Sequence, residues 1–250
     1  MKPYQQVPIV ECCDPLISIP LEQFAVEHPH PYVKVGAPYG NKSPYYLRQG
    51  VLERLLEAQR SLQQMRPGWR LQIFDAYRPI AVQRYMVDYT FAQLLADRRL
   101  VLEQLTDAQQ AELWAEVHQF WAVPSDNPAT PPPHSTGAAV DLTLVDAIGT
   151  VVNMGSPIDE ISPRSHPNFF AEPNRESIQG ATELLSEAAQ LEAHHNRQLL
   201  KQVMATAGFQ QHPNEWWHFS LGDQMWAWLI NQSQPSTQRV ACYGAIEPGG

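Results

Sequence analysis

Two short segments of this 250-residue chain concentrate groups that bind metals and move protons. The first, His134-Ser-Thr-Gly-Ala-Ala-Val-Asp141, reads H-x-x-G-x-A-x-D, and the second, Glu215-Trp-Trp-His218, reads E-x-x-H. A catalytic zinc is held by three protein ligands and keeps its fourth position open. His134, Asp141 and His218 supply such a set, and Glu215 is then free to act as general base toward a water at the open position. An isolated H-x6-D pair is weak evidence for a metal. A distant E-x-x-H on a second strand-like segment strengthens it.

The elements that must position these groups are written in the flanking residues. In Ala138-Ala-Val-Asp-Leu-Thr-Leu144, Val140, Leu142 and Leu144 alternate with Asp141 and Thr143, the period of a strand. Gly137 lets the backbone bend between His134 and that strand. Pro213 and the aromatic run around Glu215 predict a strand entered from a turn, with Glu215 at the turn and His218 pointing inward. The other seven histidines, His28, His30, His118, His166, His194, His195 and His212, receive no metal role, and adjacent His194 and His195 diverge on a helix.

The H-S-T-G-A-A-V-D-L-T-L and E-W-W-H-F segments do not stand alone. Phe74-Asp-Ala-Tyr-Arg-Pro79, Asn153-Met-Gly-Ser-Pro-Ile-Asp159, Arg164-Ser-His166 and Asn196-Arg197 occur with them, in order, between about residues 50 and 222. Together they resemble the D-alanyl-D-alanine dipeptidase family, the VanX-type branch of the zinc D,D-peptidases. The resemblance implies one Zn2+ per chain on His134, Asp141 and His218, and hydrolysis of D-Ala-D-Ala to two D-alanine. It also implies that Arg78 stabilises the oxyanion and that Asp159 binds the free ammonium of the dipeptide. A fixed guanidinium aimed at developing negative charge is a suitable device for the first task. Asp75 is expected to orient Arg78 or neighbouring backbone rather than do chemistry. The chain departs from the family in lacking its Asn-Phe-Thr-Gly signature, with Tyr39-Gly-Asn-Lys nearby instead, and in carrying Pro132 where the family has Ser. That exchange removes a hydroxyl and an N–H donor.

Two other functions fit the same residues. One is a zinc D,D- or L,D-carboxypeptidase or endopeptidase acting on longer peptidoglycan peptides. The other is a binding module that keeps the metal without catalysis, against which Glu215 and Arg78 argue.

The length suits one domain with an ample core. We expect an α+β architecture: an antiparallel sheet bearing the zinc site, flanked by helices. Residues 1–47 are rich in Pro and Tyr, with Val7–Val10 and Leu16–Ile19 reading as short edge strands and Tyr32 as a packed aromatic in preference to a pocket residue; the family resemblance implies that this segment forms part of the pocket wall. Helices are expected over 48–65, over 80–120 with a break near 97–99 and a restart at Thr106, and over 182–207. The last of these carries Leu184, Leu185, Ala188, Leu191, Leu199, Leu200 and Val203 as its core stripe. Trp114, Phe120 and Trp121 read as core, 160–180 as a loop or lid, and 231–250 as a polar, frayed tail. Lys and Arg number 17 against 26 Asp and Glu, a net charge of −9, which disfavours nucleic acid or an anionic membrane as partner. No apolar run is long enough to span a bilayer, and the first residues lack the pattern of a secretory signal. The odd set Cys12, Cys13 and Cys242 fits idle thiols in a reducing compartment, so a cytoplasmic location and a small dipeptide partner are expected.

Overall fold

The computed structural model describes residues 2–172, 185–236 and 238–246. Its centre is a five-stranded sheet built from β2 (Ala25–Val26), β4 (Arg70–Asp75), β5 (Ala139–Val145), β6 (Gln210–Gln211) and β7 (His218–Ser220), in the order β2-β4-β5-β7-β6. All its pairings are antiparallel except β2 with β4, which run parallel. A separate antiparallel pair joins β1 (Leu16–Ser18) to β3 (Tyr46–Arg48). The expected 7–10 strand is reduced to a bridge between Ile9 and Ala241.

Among the described residues six α-helices accompany the sheet: α1 (Pro31–Lys34), α2 (Gln49–Met65), α3 (Ile80–Asp97), α4 (Asp107–Phe120), α5 (Glu187–Thr206) and α6 (Gln224–Ser233). Thr106 caps α4 through a reciprocal bond with Gln109, which explains the restart there. No helix among the described residues is long and apolar enough to cross a membrane.

Alternation in the strands decides what each face meets. Val140, Leu142 and Leu144 of β5 join Leu71 and Ile73 of β4 in one core, against Val51, Leu55 and Leu62 of α2 and Leu200, Val203 and Met204 of α5. Asp141 and Thr143 point the other way and are also buried, so β5 is covered on both faces. A second core gathers Tyr32, Val82, Met86, Phe91, Leu113, Val117 and Trp121 around α3 and α4.

Three expectations are corrected. In α5 the buried stripe is Gln190, Ala193, Arg197, Leu200, Val203 and Met204, while Ala188 and Leu191 face solvent. Arg197 takes the inward position because it serves buried acceptors: Nε donates to the Met154 carbonyl at 2.7 Å, Nη1 to the His166 carbonyl at 2.9 Å and Nη2 to Ser156 Oγ at 3.0 Å. The helix begins at Glu187 after a Ser186 cap, and the expected Thr182 and Leu184 lie outside the described residues. In the 231–250 tail, 232–236 and 238–240 are exposed as expected, but 241–246 pack back: Ala241 and Tyr243 are buried, Val10 N–H donates to the Ala241 carbonyl, and Ile246 N–H reaches the Ser135 carbonyl.

Candidate active site

The sheet register places the chemistry in a row. Asp141 on β5 pairs with His218 on β7 and, across the other edge, with Asp75 on β4. An irregularity between Ile73 and Asp75 shifts the β4 register by one residue, which brings Asp75 opposite Asp141. His134 reaches the same point from a 3-10 turn, Pro133–Thr136, that ends at Gly137 with φ +69°. A Cβ at Gly137 would stand 2.6 Å from Leu16 Cδ1 in a backbone conformation that favours glycine, so the turn needs this residue.

His134 Nε2 lies 3.2 Å from Asp141 Oδ2, His218 Nδ1 lies 3.0 Å from Asp141 Oδ1, and the two ring nitrogens are 3.1 Å apart. All three residues are buried. The outer ring nitrogens fix the tautomers. His134 Nδ1 lies 2.8 Å from the Ala76 carbonyl, an acceptor, so that nitrogen carries the proton. His218 Nε2 lies 3.3 Å from Ser220 Oγ, whose own hydroxyl donates to Asp223 Oδ2 at 2.9 Å. Both inner nitrogens then present lone pairs to each other and to a carboxylate, an arrangement that calls for a cation. Tetrahedral zinc with bonds of about 2.0–2.1 Å has ligand–ligand edges of about 3.3–3.4 Å, close to this triangle. The donor set therefore fits zinc, and its outer partners are the kind that orient metal ligands.

Burial works against an ionised Asp141; with no cation bound, protonated His134 and His218 would outweigh it and hold the carboxyl well below its usual range. Glu215 is buried beside this cluster, its carboxylate 3.8 Å from His218 Nδ1 and 3.6 Å from His212 Nδ1. Burial first, then the charges of Asp141 and Asp159, push its pKa well above the ordinary value.

Arg78 follows β4 and is pinned on every side. Nε donates to Asp75 Oδ2 at 2.8 Å, Nη1 to Gln83 Oε1 at 2.9 Å, and Nη2 to Tyr32 Oη at 3.2 Å and Asp141 Oδ2 at 3.4 Å. The rings of Tyr32 and Trp121 flank its guanidinium at 5.1 and 4.8 Å. Asp75 does orient Arg78, and it is itself fully buried between Tyr39 Oη at 3.1 Å and His30 Nε2 at 3.3 Å.

Asp159 sits on a left-handed residue, φ +64°, at the end of the segment that Arg197 and Asn196 fasten to α5. Burial first, then the Asp141 charge, push its carboxyl up to about 6. Tyr32 Oη donates to Asp159 Oδ2 at 2.7 Å. The packed aromatic expected at Tyr32 is thus also a polar contact of the site. One cavity is lined by His134, Asp141, His218, Glu215, Arg78 and Asp159 together. The same cavity takes in Lys2, Tyr4, His212 and Trp121, none of which sequence reasoning assigned to it. For Lys2 and Tyr4 the signal was the family resemblance, which implies a pocket wall over residues 1–47.

The D-ala-D-ala dipeptidase family profile matches residues 25–239. A D-alanyl-D-alanine dipeptidase of Synechocystis sp. is 49% identical over 249 residues, 99% of this chain and 98% of that protein. The Escherichia coli protein of the same name is 39% identical over 154 residues, 62% of this chain and 56% of its own length. A VanY D,D-pentapeptidase variant solved in complex with Zn(II) is a more distant likeness, with 16% identity, TM-score 0.43, and coverage of 87% of this chain and 89% of that one. With a family match over most of its length and near-half identity to a relative from end to end, the chain belongs to the D-ala-D-ala dipeptidase family of metallopeptidases.

Proposed function

We propose that this protein hydrolyses the free dipeptide D-Ala-D-Ala to two D-alanine, using one Zn2+ held by His134, Asp141 and His218. The observation that carries the reading is the triangle of two imidazole lone pairs and a carboxylate beside a buried, proton-seeking Glu215. The family membership and the relatives' names support the substrate.

Zinc bound there supplies Lewis acidity toward the scissile carbonyl and toward water. Glu215 removes the water's proton and returns it to the leaving amine; its raised proton affinity suits a group that must do both. Arg78, already immobilised by Asp75 and Gln83, presents its charge to the carbonyl oxygen as negative charge builds there. Asp159, steadied by Tyr32, takes the substrate's α-ammonium and so measures the dipeptide from its free N-terminus. Three free thiols, two of them exposed, agree with a cytoplasmic setting.

The test is release of D-alanine by zinc-loaded protein from D-Ala-D-Ala beside its N-acetyl derivative. Cleavage of only the free dipeptide is expected. Cleavage of the blocked one would move the activity to a carboxypeptidase acting on longer peptidoglycan peptides.

A further inference from the structure

We propose that Lys2 receives the substrate's C-terminal carboxylate, so that the site reads both charged ends of a zwitterionic dipeptide. The inference rests on the dipeptidase reading above and adds a specificity residue to it.

The cavity presents three carboxylates, Asp141, Asp159 and Glu215, to any ligand. A substrate bearing a carboxylate of its own needs a cation there. Arg78 is held by Asp75, Gln83 and Tyr32 and is already assigned to the carbonyl oxygen. His134 and His218 turn their free lone pairs to the metal position. His212 Nδ1 accepts the Asn214 N–H, so that nitrogen has no proton to offer a carboxylate. Pro132 and Pro133 form part of the lining and bring no N–H donor. Among the described lining residues this leaves Lys2, which has no ion pair with any described carboxylate.

Its placement fits the task. Lys2 precedes the 3-10 turn Pro3–Gln6, which is seated on α6: Gln224 Nε2 donates to the carbonyls of Gln5 at 3.3 Å, Val7 at 2.7 Å and Ala129 at 3.0 Å, and Tyr4 is buried. Lys2 lines the cavity from the N-terminal turn held on α6, whereas Asp159 lines it from the 153–159 segment fastened to α5 and is tied to Tyr32. The cation and the ammonium-binding carboxylate therefore belong to different walls, as the two ends of a dipeptide lying across the reacting centre require. Lys2 also lines the adjoining outer cavity with Tyr4, Phe120, His212 and Met225, all of which line the inner one too. It stands at the neck between the two.

The experiment compares D-Ala-D-Ala with D-alanyl-D-alaninamide on zinc-loaded full-length protein without an N-terminal tag, in the wild type, Lys2→Ala and Lys2→Arg. A charge-assisted contact predicts that Lys2→Ala raises KM for the acid roughly 10- to 100-fold with little change in kcat. Turnover of the amide stays as in the wild type, so the preference for the acid collapses, and Lys2→Arg keeps most of it. An unchanged KM for the acid in Lys2→Ala would overturn the assignment. An equal fall in kcat for acid and amide would also overturn it, by showing that Lys2 acts only on Glu215. A wild type that cleaves neither compound would instead overturn the dipeptidase reading itself.

Discussion

The Tyr32 hydroxyl donates to Asp159 Oδ2 at 2.7 Å while accepting from Arg78 Nη2 at 3.2 Å. One phenol thus links the residue proposed for the substrate's ammonium to the residue proposed for the oxyanion. Tyr32→Phe keeps the ring against Trp121 and Phe74 and removes only this link. Loss of hydrogen bonds to two charged groups costs about 1.5–3 kcal/mol, so kcat/KM for D-Ala-D-Ala should fall roughly 10- to 100-fold. Steady-state kinetics beside a circular dichroism melt check this; a variant with wild-type kinetics would leave Tyr32 as packing only.

Glu215 offers a cleaner separation of binding from chemistry. Glu215→Gln keeps the volume beside His212 and His218 but cannot accept a proton. Zinc content should remain one per chain while turnover drops by about 10²–10⁴, the usual contribution of a general base. Metal analysis and single-turnover assays decide it. Chelation of the wild type should abolish activity, and added zinc should restore it.

Arg48 braces the ligand-bearing turn from behind. Its Nε donates to the Thr136 carbonyl at 2.9 Å, Nη1 to the Asp14 carbonyl at 2.7 Å, and Nη2 to the Gly244 carbonyl and Glu11 Oε2, each at 3.2 Å. Arg48→Met strands these acceptors and should destabilise the fold by about 2–4 kcal/mol in urea titrations. Because the turn carries His134, zinc affinity should also weaken, by roughly 10-fold or more, as when outer partners of a metal ligand are lost. A competition titration with a chromogenic chelator reads the second effect.

Asp223 gives a pH signature of stability. It caps α6 through the Trp226 N–H at 2.8 Å, and burial pushes its carboxyl up to about 6. An unfolded Asp titrates near 4, so between about pH 4 and 6 the folded protein holds a proton that the unfolded chain has lost. Stability contributed by that proton is present below the unfolded value and is lost as pH rises through about 6. Asp223→Asn keeps a capping side chain without the charge. Its melting temperature relative to the wild type should therefore climb from pH 4 to pH 7. A constant difference would refute the argument.

What sequence reading recovered is what short-range pattern encodes. His134, Asp141, Glu215 and His218 lie in two motifs whose strand periods and turn residues are local, and the structure brings them together. The expected α3 and α4 boundaries also held, because Pro79 and the Thr106 cap punctuate them. Tyr32, His30 and Lys2 come from Pro-rich stretches with no period to read, and what they meet lies far away in the chain, Asp159 for Tyr32 and Asp75 for His30. The α5 stripe was misread at Leu191 because Arg197 claims an inward position for hydrogen bonding, which a hydrophobic count cannot see. The register shift that sets Asp75 opposite Asp141 leaves no trace in an alternating strand pattern.

The bridge between Ile9 and Ala241 closes nearly the whole described chain into one loop, and Ile246 from the same returning segment touches the turn that carries His134. Closing so long a loop brings few contacts of its own and gains nothing until the core between its ends has formed. Folding should therefore finish at this clasp. In pulse-labelled exchange during refolding, the amides of Val10 and Ala241 should gain protection after those of β4 and β5, and tight metal uptake should wait for them. Early protection at the clasp would contradict that order. On this account zinc binds a nearly finished protein rather than nucleating it.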